Sequence, residues 1–259
     1  MTSGKAPFFN FVLQALQKGG RLCLDTVLPP HALLGQGPVY KQGENTEFEL
    51  WQKLHFLDTP CCDACGFPFE YDQGEGALCL ACHGLRPAFD HARAAIAYDE
   101  LSRRLILDFK HGGRTDGLGF FAVQMQRAGR DMLKSCDMLI PVPLHKKRLR
   151  ERRFNQAALL ARALSRRTGL SYETDVLMRT KHTPPQGSSR APARRKNVAG
   201  AFKVEHRPEI DGRHIVLIDD VYTTGATLNA CARVLRKAGA RQIDALTLLR
   251  VVRPLTFEK

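Results

Sequence analysis

Two adjacent carboxylates and a run of small hydroxyl-bearing residues lie close together near the C-terminus, in the segment HIVLIDDVYTTGATL. Ile215–Ile218 is a continuous apolar run, as expected for a strand buried on both faces, and it ends at Asp219 and Asp220. Open α/β folds bind ligands at the carboxyl edge of such strands. In the segment that follows, Thr223–Thr227, small residues let successive backbone N–H groups curl around an anion at a helix start.

The pattern predicts the kind of ligand. Gly225 supplies a permissive backbone, and the threonine hydroxyls add hydrogen-bond donors. A phosphate in this loop, with two acceptor-only carboxylates just before it, suits a ribose 5-phosphate. The alternative is a solvated turn with incidental acids, which the particular spacing disfavours. We therefore expect the acids to bind ribose hydroxyls and the loop to bind phosphate, through Asp219, Asp220, Thr223, Thr224, Gly225, Ala226 and Thr227.

A strongly basic segment follows an earlier apolar strand. His145–Arg153 holds six Lys or Arg in nine residues, directly after Met138–Val142. Guanidinium groups suit a dense anion, and the segment follows a strand whose carboxyl end lies at the edge of the ribose site. For any single residue among Lys146, Lys147, Arg148 and Arg150 a solvated helix face is the better interpretation. Taken together, they favour an anion site.

Four of the eight cysteines form two pairs. Cys62-x-x-Cys65 and Cys79-x-x-Cys82 are separated by thirteen residues, the spacing of two knuckles that close a tetrahedral zinc site. Four thiolates leave no open position, so we expect a structural metal. Cys61 and His83 are neighbours that could substitute as ligands. The alternative, four reduced core cysteines, is disfavoured because the segment is short and polar.

Apolar strands alternate with amphipathic helices from Phe89 onward, which predicts an α/β fold with a doubly wound, mainly parallel sheet. We expect Cys136 and Cys231 to be packing residues. The predicted strands are Arg93–Tyr98, Met138–Val142, Ile215–Ile218 and Ile243–Leu249, and the predicted helices are Leu101–Lys110, about Leu118–Lys134, Asn155–Arg167 and Thr227–Ala238.

The chain resembles the ComF family of type I phosphoribosyltransferase-like proteins. VLIDDVYTTGAT is similar to the phosphoribosyl-diphosphate (PRPP) fingerprint of those enzymes. The further motifs follow in the family's order: Pro141-Val142-Pro143-Leu144-His145, Arg153-Phe154-Asn155-Gln156, Thr183-x-x-Gln186, Arg190, Arg194, Asn197 and Gly200-Ala201-Phe202.

This resemblance implies a type I phosphoribosyltransferase fold that binds PRPP with Mg²⁺. It places candidate diphosphate or acceptor contacts after the second strand, at Val142, Pro143, His145, Arg153, Asn155 and Gln156. It also implies a flexible loop that closes over PRPP, containing Thr183, Gln186, Arg190, Arg194 and Asn197. Ser188 stands where the family loop suggests a leucine.

The family resemblance also implies a second cysteine repeat nearer the N-terminus, but the residues there differ. Ala32 and Gly35 fall at two of the cysteine positions, and Glu47 and Leu50 at the other two. We therefore expect one zinc ion. The expected domains are an N-terminal helix with a degenerate ribbon repeat (1–60), a zinc ribbon (61–89) and a phosphoribosyltransferase-like domain (90–253).

Composition narrows the partners. The net charge of +13 indicates anionic partners, whereas an aromatic content of 8% argues against strong base stacking. The apolar segment 8–16 is too short and too interrupted to span a membrane, so we expect a cytoplasmic protein.

Two functions remain open. The first is transfer of a phosphoribosyl group to an unknown acceptor, associated with DNA uptake or recombination. The second is a non-catalytic PRPP-sensing module of the competence machinery that contacts single-stranded DNA through its phosphates, with competence or recombination proteins as further partners. A redox role for the cysteine pairs is disfavoured because no thioredoxin-like βαβ unit surrounds them.

Overall fold

The computed structural model describes residues 52–111, 117–152, 154–181, 198, 200–205 and 209–252. The chain divides into two compact units, Met1–Lys53 and Leu54–Lys259. The second unit is described below. The expected features of residues 1–51, including the degenerate repeat, lie outside the described residues.

A parallel five-stranded sheet organises this unit. Its spatial order is β1-β7-β6-β2-β3. A short antiparallel pair, β4 and β5, lies apart from it. The strands are β1 (Ala92–Ala97), β2 (Met138–Pro141), β3 (Ser171–Tyr172), β4 (Leu177–Arg179), β5 (Phe202–Val204), β6 (His214–Tyr222) and β7 (Gln242–Arg250).

Helices cover both faces of the sheet, so the predicted doubly wound, mainly parallel α/β architecture is confirmed. Seven helices occur in the described part of the chain: α1 (Leu80–Gly84), α2 (Glu100–His111), α3 (Leu118–Ala128), α4 (Arg130–Ser135), α5 (Lys146–Arg152), α6 (Gln156–Thr168) and α7 (Ala226–Lys237). Helices α3 and α6 pack on each other and on the sheet. Helix α7 and the cysteine segment share a core with alternate residues of β2, β6 and β7.

The structure divides one predicted helix in two. The expected helix Leu118–Lys134 is interrupted at Gly129, between α3 and α4. A Cβ at this position would lie 2.7 Å from a side-chain carbon of Leu246 in β7. The glycine is therefore needed for close approach of the helix pair to the sheet, a long-range contact that helical periodicity does not reveal.

The central strand is longer than its apolar run. Strand β6 pairs with β7 from His214 to Tyr222, so Asp219 and Asp220 lie within the strand and not after it. Strand β2 ends earlier, at Pro141, so β6 projects beyond it at the carboxyl edge. The projection leaves room for a cleft above β2.

Cys136 and Cys231 are buried in apolar surroundings, as expected of packing residues. Within the described ranges, no helix is both long enough and apolar enough to cross a bilayer.

Candidate functional site

A cleft of about 320 Å³ opens at the carboxyl edge of the sheet, between β6 and the chain that leaves β2. It is the expected ligand position for an open α/β fold. Three stretches of chain line it, together with Arg179 and Val198: residues 142–144, residues of the α5–α6 region, and the continuous segment 219–228.

The loop between β6 and α7 forms one wall. Gly225 is the N-cap of α7 and has a left-handed backbone, with φ of +71°. Thr223 and Thr224 are exposed, and Thr227 is half-buried in the first turn of the helix. Free backbone N–H groups at a helix start, together with hydroxyl donors, make an anion-binding surface. We call residues 223–227 the phosphate loop.

The two carboxylates line the same cleft. Asp219 and Asp220 are both half-buried, and an oxygen of Asp219 accepts the backbone N–H of Asp220 at 2.9 Å. They precede the phosphate loop directly, so the cleft combines an anion-binding wall with adjacent acceptor oxygens. The five phosphate-loop residues and both acids thus line the same cleft.

Arginines from two other elements also line the cleft. Arg148 and Arg152 stand one turn apart on α5, and Arg179 ends β4. Burial lowers the pKa of Arg148, and the charge of Arg152 lowers it further. Burial likewise lowers the pKa of Arg179, with a second contribution from Arg148. Three guanidinium groups crowded in this way favour a bound anion, which would relieve their repulsion.

The basic segment divides into two faces. Lys146, Lys147 and Arg150 are exposed and do not line the cleft, whereas Arg148 and Arg152 are half-buried and do. The sequence favoured a solvated face for each of Lys146, Lys147, Arg148 and Arg150 taken alone. Helical spacing, with Arg148 and Arg152 at i and i+4, is the signal that could have separated the two groups.

The expected diphosphate contacts are only partly gathered here. Val142, Pro143, Asn155 and Gln156 line the cleft, while Arg153 lies outside the described residues. His145 is not among the lining residues, and its Nδ1 accepts the N–H of Lys147.

Asn155 and Gln156 have structural partners. The Asn155 Nδ2 donates to the carbonyl of Val142 at 3.0 Å, and its Oδ1 accepts the N–H of Ala157 as the N-cap of α6. The Oε1 of Gln156 accepts from Arg152 at 3.4 Å. These two side chains hold the wall of the cleft and orient Arg152.

Arg179 is a cleft residue that the sequence analysis missed. It lies on β4, which pairs with β5, and its guanidinium stacks on the ring of Phe202 at 5.4 Å. The hairpin closes with a bond from the Thr180 N–H to the carbonyl of Ala201. Strands of three residues carry too little periodicity to be recognised. The expected closing-loop residues between these strands, Thr183, Gln186, Arg190, Arg194 and Asn197, lie outside the described residues.

A second site is formed by four cysteines. The sulfur atoms of Cys62, Cys65, Cys79 and Cys82 all lie within 4.8 Å of one another, and those of Cys65 and Cys79 are 3.6 Å apart. Four thiolates at about 2.3 Å from one zinc ion would be separated by roughly 3.8 Å. Among the described residues this is the only cluster of potential metal ligands, and neither Cys61 nor His83 belongs to it.

The chemistry of the cluster also fits a cation. Burial raises the pKa of Cys65 to about 11, with further contributions from the neighbouring cysteines. Burial followed by the charge of Cys65 raises that of Cys82 as well. For Cys62, burial acts to raise the pKa, but hydrogen bonds from the backbone and side chains of Cys79 and Cys65 together lower it to about 7. Buried thiolates that repel one another need a bound cation, so the four cysteines are compatible with a zinc site.

Comparisons with known proteins agree with this geometry. Residues 155–254 match the family model described as Phosphoribosyl transferase domain. Orotate phosphoribosyltransferase from Aeropyrum pernix is 16% identical, with a TM-score of 0.33, over 61% of this chain and 80% of that chain. That similarity is too low to carry an argument, so the fold assignment rests on the family model and the sheet.

Two relatives identify the family. The DNA utilization protein YhgH of Escherichia coli O157:H7 is 35% identical over 59% of this chain, which spans only 60% of that protein's length. Competence protein F of Haemophilus influenzae is 34% identical over 74% of this chain and 85% of that protein. Because this second match spans most of both proteins, the chain belongs to the ComF family, and its second unit has a type I phosphoribosyltransferase fold.

Proposed function

We propose that this protein binds PRPP with Mg²⁺ and transfers its phosphoribosyl group to an acceptor, in a process linked to DNA uptake or recombination. The observation that supports the proposal is the composition of one cleft. A phosphate loop, two carboxylates and three arginines face the same 320 Å³ space. PRPP carries a 5-phosphate, vicinal hydroxyls and a diphosphate, so its groups match these three parts in kind.

The phosphate loop would hold the 5-phosphate. The N–H groups at the start of α7 supply donors, and the helix dipole favours an anion there. A phosphate in the loop brings the ribose hydroxyls near Asp219 and Asp220, which can only accept hydrogen bonds when ionised. The acids would fix the ribose and stabilise the positive charge that develops on the sugar.

The diphosphate would occupy the wall formed by Val142, Pro143 and the arginines. Arg148, Arg152 and Arg179 offer paired donors to a dense anion. Mg²⁺ prefers oxygen ligands from carboxylates and phosphates, which this cleft and its ligand together provide. When bound, it would neutralise charge on the leaving diphosphate.

Transfer would proceed by substitution at the anomeric carbon. The bond from C1 to the diphosphate oxygen breaks, and diphosphate departs with the electron pair while an acceptor lone pair forms the new bond. This chain's contribution is positioning and charge stabilisation. The expected closing loop leaves from Arg179, which already lines the cleft, so its closure would exclude water from this site.

The decisive experiment measures binding and turnover in the same samples. Calorimetric titration of PRPP with Mg²⁺ into the wild type is compared with titration into the Asp219→Asn/Asp220→Asn variant. Diphosphate release is assayed with nucleobases, with single-stranded DNA and with no acceptor. Binding lost in the variant and release with one acceptor support the transferase. Binding without release under any condition favours a PRPP-sensing module, and no binding contradicts the proposal.

A second candidate function is contact with single-stranded DNA. It is favoured by the basic face of α5, where Lys146, Lys147 and Arg150 are exposed outside the cleft. The two relatives are named for competence and DNA utilization. Replacing all three residues with neutral ones should lower the slope of log K against log salt concentration by the amount expected for about three phosphate contacts. A fluorescence titration with labelled oligonucleotides over a salt series measures the slope, and an unchanged slope would contradict this surface.

A further inference from the structure

Arg250 connects the sheet to the cysteine cluster. It is the last residue of β7 and is 5% exposed. One guanidinium nitrogen donates to the carbonyl of Cys65, and the other donates to the Cys65 sulfur at 3.3 Å. A donor to the sulfur and a donor to the backbone of one ligand together fix that ligand's position.

The same guanidinium contacts the end of β6. Strand pairing sets Arg250 opposite Tyr222, and the guanidinium carbon lies 4.2 Å from the centre of the tyrosine ring. It also lies 5.7 Å from the ring of Phe67, two residues after Cys65. Cation–π contacts of this kind are stronger when buried, as here. One buried cation therefore contacts both the cysteine knuckle and the strand that leads to the phosphate loop.

Tyr222 in turn fixes the phosphate loop. A Cβ added at Gly225 would lie 2.6 Å from the tyrosine Oη, so the phenol abuts the glycine of the loop directly. Tyr222 is 8% exposed, and its ring packs on another side against Phe89, edge to face at 6.3 Å. Movement of Tyr222 would therefore displace Gly225.

Asn229 makes a second connection between the two sites. Its Oδ1 accepts the N–H of Ala88 at 2.6 Å, and its Nδ2 donates to the carbonyl of Gly225 at 3.0 Å. Ala88 follows Cys82 by six residues. The phosphate loop is thus tied to the chain on both sides of the cysteine cluster, through Cys65 by Arg250 and beyond Cys82 by Asn229.

We propose that Arg250, acting through Tyr222, is a positioning residue that links the cysteine cluster to the phosphate loop, so that metal in the cluster strengthens binding of a sugar phosphate. The proposal rests on the proposed function. The cysteine cluster packs against the ligand-binding strand. A metal that served only to hold the knuckle would not require that packing.

Thermodynamic linkage makes the proposal quantitative. A metal that raises phosphate affinity by a given factor must itself be bound more tightly by the same factor when the phosphate ligand is present. Removing a hydrogen-bonding neighbour of a metal ligand weakens metal binding by about 10-fold to 100-fold. Loss of Arg250 should therefore weaken zinc retention by about 10-fold. It should also abolish the factor by which zinc and the sugar phosphate strengthen each other's binding.

The test uses the full-length, zinc-loaded protein with ribose 5-phosphate, which carries the phosphate and hydroxyls without the diphosphate. Affinity is measured by calorimetry, and zinc retention by competition with a chromogenic chelator, with and without the sugar phosphate. In the wild type, the sugar phosphate should protect zinc. In Arg250→Met this protection should disappear, and sugar-phosphate affinity should fall by the same factor by which the sugar phosphate strengthens zinc binding in the wild type.

Two further variants keep the result interpretable. Arg236→Met removes a different arginine, which pairs with Asp90 and has no contact with Cys65 or Tyr222, and it should leave the protection of zinc unchanged. Tyr222→Phe removes the atom that abuts Gly225 while keeping the ring under Arg250. It should weaken sugar-phosphate binding without accelerating zinc loss. Equal protection of zinc in Arg250→Met and the wild type would overturn the proposal.

Failure of the proposed function is separable from failure of this link. If neither PRPP nor ribose 5-phosphate binds the wild type, the proposed function is wrong. The link is then decided without ligand, by hydrogen exchange of the amides of Gly225–Thr227. Faster exchange of these amides in Arg250→Met than in Arg236→Met supports the link, and equal exchange overturns it.

Discussion

The two ends of strand β6 both carry polar residues, but they are built in opposite ways. At the N-terminal end, the side chain of His214 is 1% exposed, and both its ring nitrogens face acceptors. Its Nδ1 lies 2.9 Å from the carbonyl of Ser135, and its Nε2 lies 2.8 Å from the carboxylate of Asp244. At the C-terminal end, Asp219 and Asp220 are half-buried and face a cleft.

The N-terminal end of β6, which we call the sealed end, holds a buried ion pair between His214 and Asp244. Because a carbonyl and a carboxylate can only accept, both nitrogens of His214 must donate, which requires the imidazolium. Burial opposes this charge, but the hydrogen bond to Asp244, the hydrogen bond to the Ser135 carbonyl and the charge of Asp244 together outweigh burial and raise the pKa of His214. Burial also opposes the charge of Asp244, and the bond from His214 lowers its pKa. Asp244 additionally accepts from the backbone of His91.

The two ends of β6 therefore place polar residues in two different environments. Charges that are enclosed and matched to protein partners are costly to separate, whereas like charges crowded around an open space are suited to a ligand. Damage to the sealed end should therefore lower stability and leave binding intact. Damage to the C-terminal end with Asp219 and Asp220, which we call the open end, should weaken ligand binding and leave stability intact. The predictions below test this separation.

The largest expected effect is at the sealed end. Asp244→Ala leaves His214 buried without its carboxylate, and removing one partner of a buried pair costs about 3 kcal/mol in the free energy of unfolding. Chemical denaturation of the zinc-loaded protein measures the loss. PRPP affinity at low temperature, where the variant remains folded, should stay within about twofold of the wild type. A large loss of PRPP affinity in the folded variant would contradict the separation of the two ends of β6.

The next effect is at the open end. Asp219→Asn/Asp220→Asn removes the two acceptors that we propose for the ribose hydroxyls and should weaken PRPP binding by about 100-fold, as expected for two hydrogen bonds to charged groups. Removing two neighbouring like charges should not lower the midpoint of chemical denaturation. A variant that is both destabilised and deficient in binding would indicate that the acids are structural.

A smaller effect distinguishes the two faces of α5. Arg148→Met removes a guanidinium from the cleft and should weaken PRPP binding by about 10-fold, while affinity for ribose 5-phosphate changes little. Lys147→Met is the matched control, because Lys147 is exposed on the same helix and does not line the cleft. Equal effects in both variants would mean that the helix contributes only general charge.

The smallest effect is a pH dependence of stability. The raised pKa of His214 gives stabilisation that is fully present below the unfolded value of about 6.5 and is lost as pH rises through the folded value. The lowered pKa of Asp244 gives stabilisation that is present above about pH 4 and lost as pH falls. One proton per molecule corresponds to at most about 1.4 kcal/mol per pH unit.

The measurement is the free energy of unfolding at about pH 6 and about pH 8, in the wild type and in His214→Gln. The wild type should lose more stability than the variant over this range. The same loss in both proteins would assign the pH dependence to groups other than His214.

The open end could be predicted from sequence far better than the sealed end. Asp219, Asp220 and the phosphate loop are contiguous, so their spacing alone indicates a ligand site. The cysteine pairs also have a local signature. His214, Asp244 and Ser135 come from three separate elements, and no local pattern relates them.

Other features were missed for the same physical reason. Arg179 reaches the cleft through a three-residue strand, and Gly129 interrupts a helix because of a contact with β7. The extent of β6 beyond its apolar run follows from pairing with β7, which carries Thr247 opposite Asp219. Long-range contacts of this kind are visible only in the folded chain.

We propose that the open end of β6 binds a ribose 5-phosphate group. This is tested by the nuclear magnetic resonance shifts of backbone amides during titration of PRPP with Mg²⁺. We expect large shifts for the amides of Thr223–Thr227 and Asp220, with little change at His214 and Asp244. Shifts concentrated away from the phosphate loop, or no shifts at saturating PRPP, would contradict it.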